Sequence, residues 1–124
     1  MKFARWVFTI AGIYGVIVLA PQYFMEDKFA HDLPPALTHP EHFYGFIGVT
    51  LAWQLVYLLI GTDPIRFRPI MVIGMLGKLS FGIACFVLYL QGRLAPIVLA
   101  ASSVDLILVV LFGISFLMTR SAEN

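Results

Sequence analysis

The sequence predicts an all-α, polytopic membrane protein: a four-transmembrane-helix bundle with both termini cytoplasmic. Three observations predict it. The 124-residue chain is 60% hydrophobic and only 12% charged, with mean hydropathy +0.92, whereas ordinary soluble domains are about 45–50% apolar and about 25% charged. A water-soluble domain of this size has no interior large enough to hide that much apolar surface. Four apolar runs each approach or exceed the roughly 20 residues that a helix needs to cross the hydrocarbon core. The cations between those runs are distributed unevenly, which sets the direction of insertion.

The first span covers residues 5–23. Its basic start and apolar body imitate a signal peptide, with Val18 and Ala20 small enough for a cleavage site. Pro21 would then be the first mature residue, which disfavours cleavage, so the stretch is expected to remain as a transmembrane helix. The second span covers 43–61, the third 69–90 and the fourth 94–118. Turn chemistry separates them: GTDPIRFRP between the second and third, QGR between the third and fourth. The short QGR turn makes the last two helices antiparallel neighbours. A strand reading fails because the runs are too long and lack alternation of period two. Together these segments make one domain, residues 1–124, with an external connection at 24–42.

Lys2, Arg5, Arg66, Arg68 and Arg120 fall on one side of the membrane in this arrangement, and Lys28 and Arg93 on the other. Positive charge collects on the cytoplasmic face, so both termini are expected inside a bacterial cell, the membrane being its inner one. Trp6, Tyr23, Phe24, Phe43 and Tyr44 lie near span ends, as interfacial anchors do. In the long connection, the Pro34-Pro35 pair forbids one continuous helix. Phe24, Met25, Phe29 and Leu33 suit either a short interfacial helix or a plain loop.

The segment THPEH, residues 38–42, has two readings. His39, Glu41 and His42, with His31 nearby, are weak candidates for metal ligands, since imidazole and carboxylate suit zinc and similar ions. The favoured reading is structural and assigns no metal. Thr38-x-x-Glu41 has the pattern of a capping box, and Pro40 falls in the first turn, where its missing N–H matters little. The single Cys85 lies in an apolar run and excludes an internal disulfide. It reads as a small buried hydrophobe.

The residues that demand explanation are in the spans. GMLGKLSFG, residues 74–82, places Lys78 between Gly74 and Gly82 at i, i+4, i+8, on one stripe of the third helix. An unpaired lysine near the bilayer centre costs at least about 2.5–3.5 kcal/mol. Asp105 is the one acid inside a span, with Ala101 and Ser102 on its face. At about 1.5 Å per residue, Lys78 lies about 14 Å and Asp105 about 20 Å from the cytoplasmic ends of their helices. A bending lysine stem spans that difference, so a Lys78–Asp105 pair is expected. Tyr14 in the first span and Gln54 in the second lie at similar depth, with Trp53 and Tyr57 beside Gln54 as apolar walls. These six residues form the candidate ligand-binding set. A structural alternative stands beside it, in which the pair only fixes helix register.

HPEHFYGFIGVTLAWQLVYLLIGTDPIRFRP, followed by GMLGKLSFG and SSVDLIL, resembles small uncharacterised bacterial four-helix membrane proteins, loosely placed beside the DoxX-like group. The resemblance implies a four-helix integral membrane protein and, through that group, an association with redox or quinone-linked membrane complexes. No redox residue of this chain can be matched to it. Small multidrug transporters share the size and span number, but their buried glutamate in the first helix has no counterpart here.

The leading functional expectation is binding of an apolar or lipid-like ligand in a midplane polar cavity. An accessory subunit of a larger membrane complex, with no chemistry of its own, stands nearly level. A proton-coupled transporter or membrane enzyme stands third, because no nucleophile–base set or haem-ligand pair occurs at matched depth. The sequence names no cofactor and no catalytic residue. Expected partners are membrane lipid, an apolar small molecule, and a homo-oligomer or larger complex. The absence of a basic cluster or phosphate loop argues against nucleic acid.

Overall fold

The computed structural model describes residues 2–32 and 38–123, with side chains described through residue 120. Among the described residues the chain forms α1 (Lys2–Leu19), a 3-10 segment (Ala20–Phe24), α2 (Glu26–Asp32), α3 (Pro40–Thr62), α4 (Arg68–Leu90) and α5 (Pro96–Glu123), and no strand. Four of these units are long and apolar enough to span a bilayer: Lys2–Phe24, Pro40–Thr62, Arg68–Leu90 and Pro96–Arg120. The fold is therefore the expected all-α four-span bundle of a multi-pass membrane protein. Each span begins or ends a few residues beyond the apolar run that predicted it, because the flanking polar residues continue the helix.

Each helix buries one stripe. On α1 the buried positions are Ala4, Phe8, Ala11, Gly12, Gly15 and Leu19, a three-to-four-residue spacing that keeps one face inward. On α4 they are Met71, Gly74, Lys78, Gly82 and Cys85, so the glycine–lysine stripe faces the bundle as its spacing implied. α1 packs closely along α3, and α4 along α5. Glycine makes these approaches possible. A Cβ on Gly82 would lie 2.7 Å from Leu106 Cγ, and one on Gly74 would lie 3.0 Å from a ring carbon of Tyr57. In lipid, helix association rests on such close packing, because burial from hydrocarbon supplies little driving force.

The α3–α4 and α4–α5 connections fold locally. Asp63 Oδ1 accepts the Arg66 N–H at 3.3 Å, closing the turn into α4. Gly92 takes φ 72°, and the N–H groups of Gly92 and Arg93 donate to Tyr89 O and Leu88 O. This is a Schellman ending, where a left-handed residue is needed and glycine supplies it without penalty. At the opposite end of the same hairpin, Arg68 Nε donates to Phe116 O at 2.9 Å and to Thr119 Oγ1 at 3.2 Å. Its guanidinium carbon lies 3.6 Å from the Phe116 ring centroid. One side chain thus ties the start of α4 to the end of α5 and confirms that they are antiparallel.

The main aromatic cluster lies in the half of the bundle that holds the chain ends. There Phe8 stacks on Phe112 at 4.2 Å, and Tyr57 meets Phe112 at 5.1 Å. Met71, Ile60 and Ala4, all 0% exposed, complete the cluster. Toward the other end Leu19, Ile47 and Cys85 are buried, while α3 and α4 touch little along their length.

One local expectation is corrected. The capping box does not form. His39 is the N-cap of α3, with no side-chain cap hydrogen bond, and Pro40 opens the helix. Proline biases the residue before it away from helical dihedrals, so the helix must start at Pro40 and Thr38 falls outside it. The start of the long connection is the short helix α2 rather than a plain loop, and Phe29 is one of its anchors to α3. It meets Phe43 at 5.6 Å, while Tyr44 Oη donates to Glu26 Oε2 at 2.9 Å. These contacts fold α2 back onto the start of α3. Leu33 and the Pro34-Pro35 pair lie outside the described residues.

A midplane candidate site

The α4 stripe carries Lys78 about ten residues past Arg68, some 15 Å along the helix axis. The α4–α5 hairpin brings Asp105 opposite it. Lys78 Nζ lies 2.8 Å from Asp105 Oδ1, a charge-assisted hydrogen bond. The Lys78 side chain is 10% exposed and that of Asp105 is 24%. Lys78 Nζ also sits 5.2 Å from the Tyr57 ring centroid, where the ring quadrupole favours a cation. The pair therefore rests on the aromatic core and caps it.

Above the pair the bundle is hollow. One cleft, of about 480 Å³, opens between α3 and α4. A second, of about 460 Å³, lies among α1, α3, α4 and α5 and reaches toward Phe29 and Phe43 at the far end. Volumes of this size fall within the usual range for small-molecule sites. Lys78, Asp105, Gln54, Thr50, Phe46 and Phe81 line both. Phe46 and Phe81 stack at 5.7 Å across the α3–α4 gap, so this aromatic pair partitions the two spaces over a shared polar floor.

The six candidate residues are divided between these spaces. Tyr14, Gln54, Lys78 and Asp105, one from each spanning helix, all line the second cleft. Trp53 and Tyr57 line the first only. Tyr57 is 3% exposed and belongs as much to the core as to the cleft. Tyr14 is 41% exposed and stands at the rim. Ala101 is exposed at the mouth of the second cleft, with no helix pressed against it, whereas Ser102 is buried and donates to Leu99 O at 2.8 Å.

Gln54 has an incomplete hydrogen-bond set. It is 3% exposed, and its Nε2 donates to Thr50 O at 2.8 Å. Its Oε1 is buried against Gly15 and has no partner among the described residues. A buried acceptor left unmatched costs about 1–3 kcal/mol, so its retention needs a reason.

Sequence reasoning missed Phe46 and Phe81. Both carried a signal: Phe81 lies three residues after Lys78, and Phe46 lies eight before Gln54, so each shares a helical face with a nominated polar residue.

At the end away from the termini, donor atoms of His39, Glu41 and His42 all lie within 4.8 Å of one another, and all three residues are exposed. His39 Nδ1 is 3.1 Å from Glu41 Oε1. His31 is separate from this group and pairs with Asp32 at 3.1 Å. That contact, followed by Lys28, holds the Asp32 carboxyl below its ordinary range.

Comparison with known proteins leaves the site to be judged on its geometry: no family model, no curated protein and no solved structure matches this chain.

Proposed function

We propose that the chain is a binding module of the bacterial inner membrane, inserted with both termini cytoplasmic, that holds an apolar or lipid-like ligand over a midplane polar floor. The observation that carries this reading is the placement of the Lys78–Asp105 pair at the shared base of two clefts. A pair that served only as register glue would be wrapped by packed side chains. Here Asp105 keeps a quarter of its side chain open, and Val49, Ile73 and Leu76 at the rim of the first cleft are 65%, 53% and 61% exposed. In a bilayer those rim residues face acyl chains, so the first cleft opens sideways into lipid.

Trp53 and Phe46 supply apolar walls, and Gln54, Lys78 and Asp105 supply hydrogen-bonding groups. An apolar body with a polar head matches that division. The loose DoxX-like resemblance agrees with a four-helix module of this kind and names no ligand.

The test is native mass spectrometry of the gently extracted protein, with identification of co-released lipid and small molecules. A reproducible apolar compound, lost when Lys78 and Asp105 are both replaced, is the expected result. Release of bare protein under conditions that preserve the fold would overturn the reading.

A second reading, an accessory subunit of a larger membrane complex, draws on Gly45 and Gly77. Both are helical glycines with open space above them, where a partner helix has room to approach. Retention of a stoichiometric protein partner in the same experiment would favour it.

A further inference from the structure

The polar floor has both unused donors and unused acceptors, and their balance restricts what head group fits. Lys78 and Asp105 make hydrogen bonds only with each other among the described residues. Lys78 therefore keeps N–H groups to spare, and Asp105 keeps its second oxygen. The pair is already neutral as a unit. An anionic head would compete with Asp105 for Lys78, and a cationic head would compete with Lys78 for Asp105. Either would leave an uncompensated charge at midplane depth, where charge is least tolerated.

Gln54 adds the second, independent observation. Its Oε1 is a buried acceptor without a donor, and Gly15 leaves it just enough room by having no side chain. The terminal torsion of glutamine is broad, so the amide can turn toward the adjoining cleft, giving up the Nε2 contact with Thr50 O for one with the incoming head. An incoming donor would then satisfy an atom that the empty fold leaves unsatisfied. A hydroxyl is the smallest uncharged head that donates one hydrogen bond and accepts another.

We propose that the clefts take a neutral lipid with a hydroxyl head, which donates to Gln54 and accepts from Lys78, its hydrocarbon body lying against Phe46, Phe81 and Trp53. This deepens the binding-module reading and rests on it. Gln54 acts as the specificity-determining side chain, selecting the head group while the aromatic walls hold the body.

The experiment uses the full chain in lipid nanodiscs and fluorescence of Trp53. The chain has two tryptophans, and Trp6 is 64% exposed on α1, so a Trp6→Phe background isolates Trp53. Three probes share one dibrominated octadecyl chain, which quenches indole on contact, and differ in head: the alcohol, the sulfate and the trimethylammonium. The two ionic heads stay charged at any working pH.

Saturable quenching by the alcohol is expected at a mole fraction more than about tenfold below that of either ionic probe. Gln54→Leu should weaken the alcohol by about threefold to tenfold, the range that one hydrogen bond spans, and leave the ionic probes unmoved. The same variant without probe should melt at or above the parent temperature, since it removes an unsatisfied atom.

Equal quenching by all three heads would overturn the hydroxyl proposal and leave the cleft as a lipid-binding space. No saturable quenching by any probe would overturn the binding-module reading itself. A Gln54→Leu protein that melts lower without probe and binds the alcohol unchanged would make Gln54 structural, and the proposal would fail.

Discussion

The Lys78–Asp105 pair gives the sharpest quantitative test of how this bundle is built. At 2.8 Å, two unit charges attract by about 6 kcal/mol at an effective dielectric of about 20. Desolvation of both groups offsets much of that, so the net value of the pair is small while the penalty for orphaning one member is large. The two orphans differ in their surroundings. After Lys78→Met, Asp105 is still 24% open and can turn to the cleft, so the loss should be about 2–3 kcal/mol, below the usual about 3–5 for a fully buried pair. After Asp105→Leu, Lys78 is 10% open and retains only the Tyr57 ring at 5.2 Å. That loss should reach about 3–4 kcal/mol. Replacing both removes the charges and leaves two apolar side chains in an apolar setting, so the double variant should recover most of the combined loss.

The assay is reversible unfolding in mixed micelles, read by circular dichroism, for parent, two singles and the double. A coupling of at least about 2 kcal/mol is expected, with Asp105→Leu the worse single. Coupling below about 0.5 kcal/mol, the range of independent sites, would refute the ion pair as the organising contact of the midplane. A double variant that is stable but no longer retains its lipid would place the pair in function. One that is stable and still loaded would reduce it to a register device.

Three further outcomes follow from named contacts. Gly15→Ala places a Cβ 2.6 Å from Gln54 Cγ, a clash that a turn of the amide alone does not relieve, and overpacking of this kind should lower stability by about 1–3 kcal/mol; adding Gln54→Ala should restore it, and failure to restore would show that α1 and α3 do not cross there. In a Cys85→Ala background, single cysteines at Arg66 and Asn124 should label only from the cytoplasmic side and one at Lys28 only from outside; external labelling at Asn124 would sink the inside-termini topology. Joint replacement of His39 and His42 by Asn should leave the metal content of the purified protein unchanged by elemental analysis, and loss of a stoichiometric metal would promote their cluster to a metal site.

Hydropathy made the four spans legible because lipid imposes a nearly one-dimensional rule: enough consecutive apolar residues, and a break. The Lys78–Asp105 contact was legible for a related reason. The rise per residue fixes depth, and a short turn fixes which helices are neighbours, so two charges at similar depth on adjacent helices have few other places to go. The N-terminus of α3 was misread because two local rules compete at THPEH, and the constraint that proline places on His39 overrides the cap offered by Thr38. The division into two clefts was not legible at all. It depends on how far α3 stands from α4 beyond their short connection, a lateral distance that neither periodicity nor depth encodes. The Phe29–Phe43 contact is a tertiary feature of the same kind.

The uneven packing itself argues for a bound molecule. The aromatic cluster of Phe8, Tyr57 and Phe112 shows that these four helices can pack to contact when their side chains allow it. A few turns further along, the same helices carry the stacked Phe46–Phe81 pair across an open gap, a lysine–aspartate pair beneath it, and a glutamine whose oxygen has no partner. Filling that gap with leucine and isoleucine would remove a buried charge pair and an unmatched acceptor together, a change that is often neutral or stabilising. The chain keeps the polar floor instead, beneath a mouth that faces acyl chains. On the binding-module proposal that floor has a use: under a lateral opening, it would receive the polar end of a molecule already dissolved in the membrane.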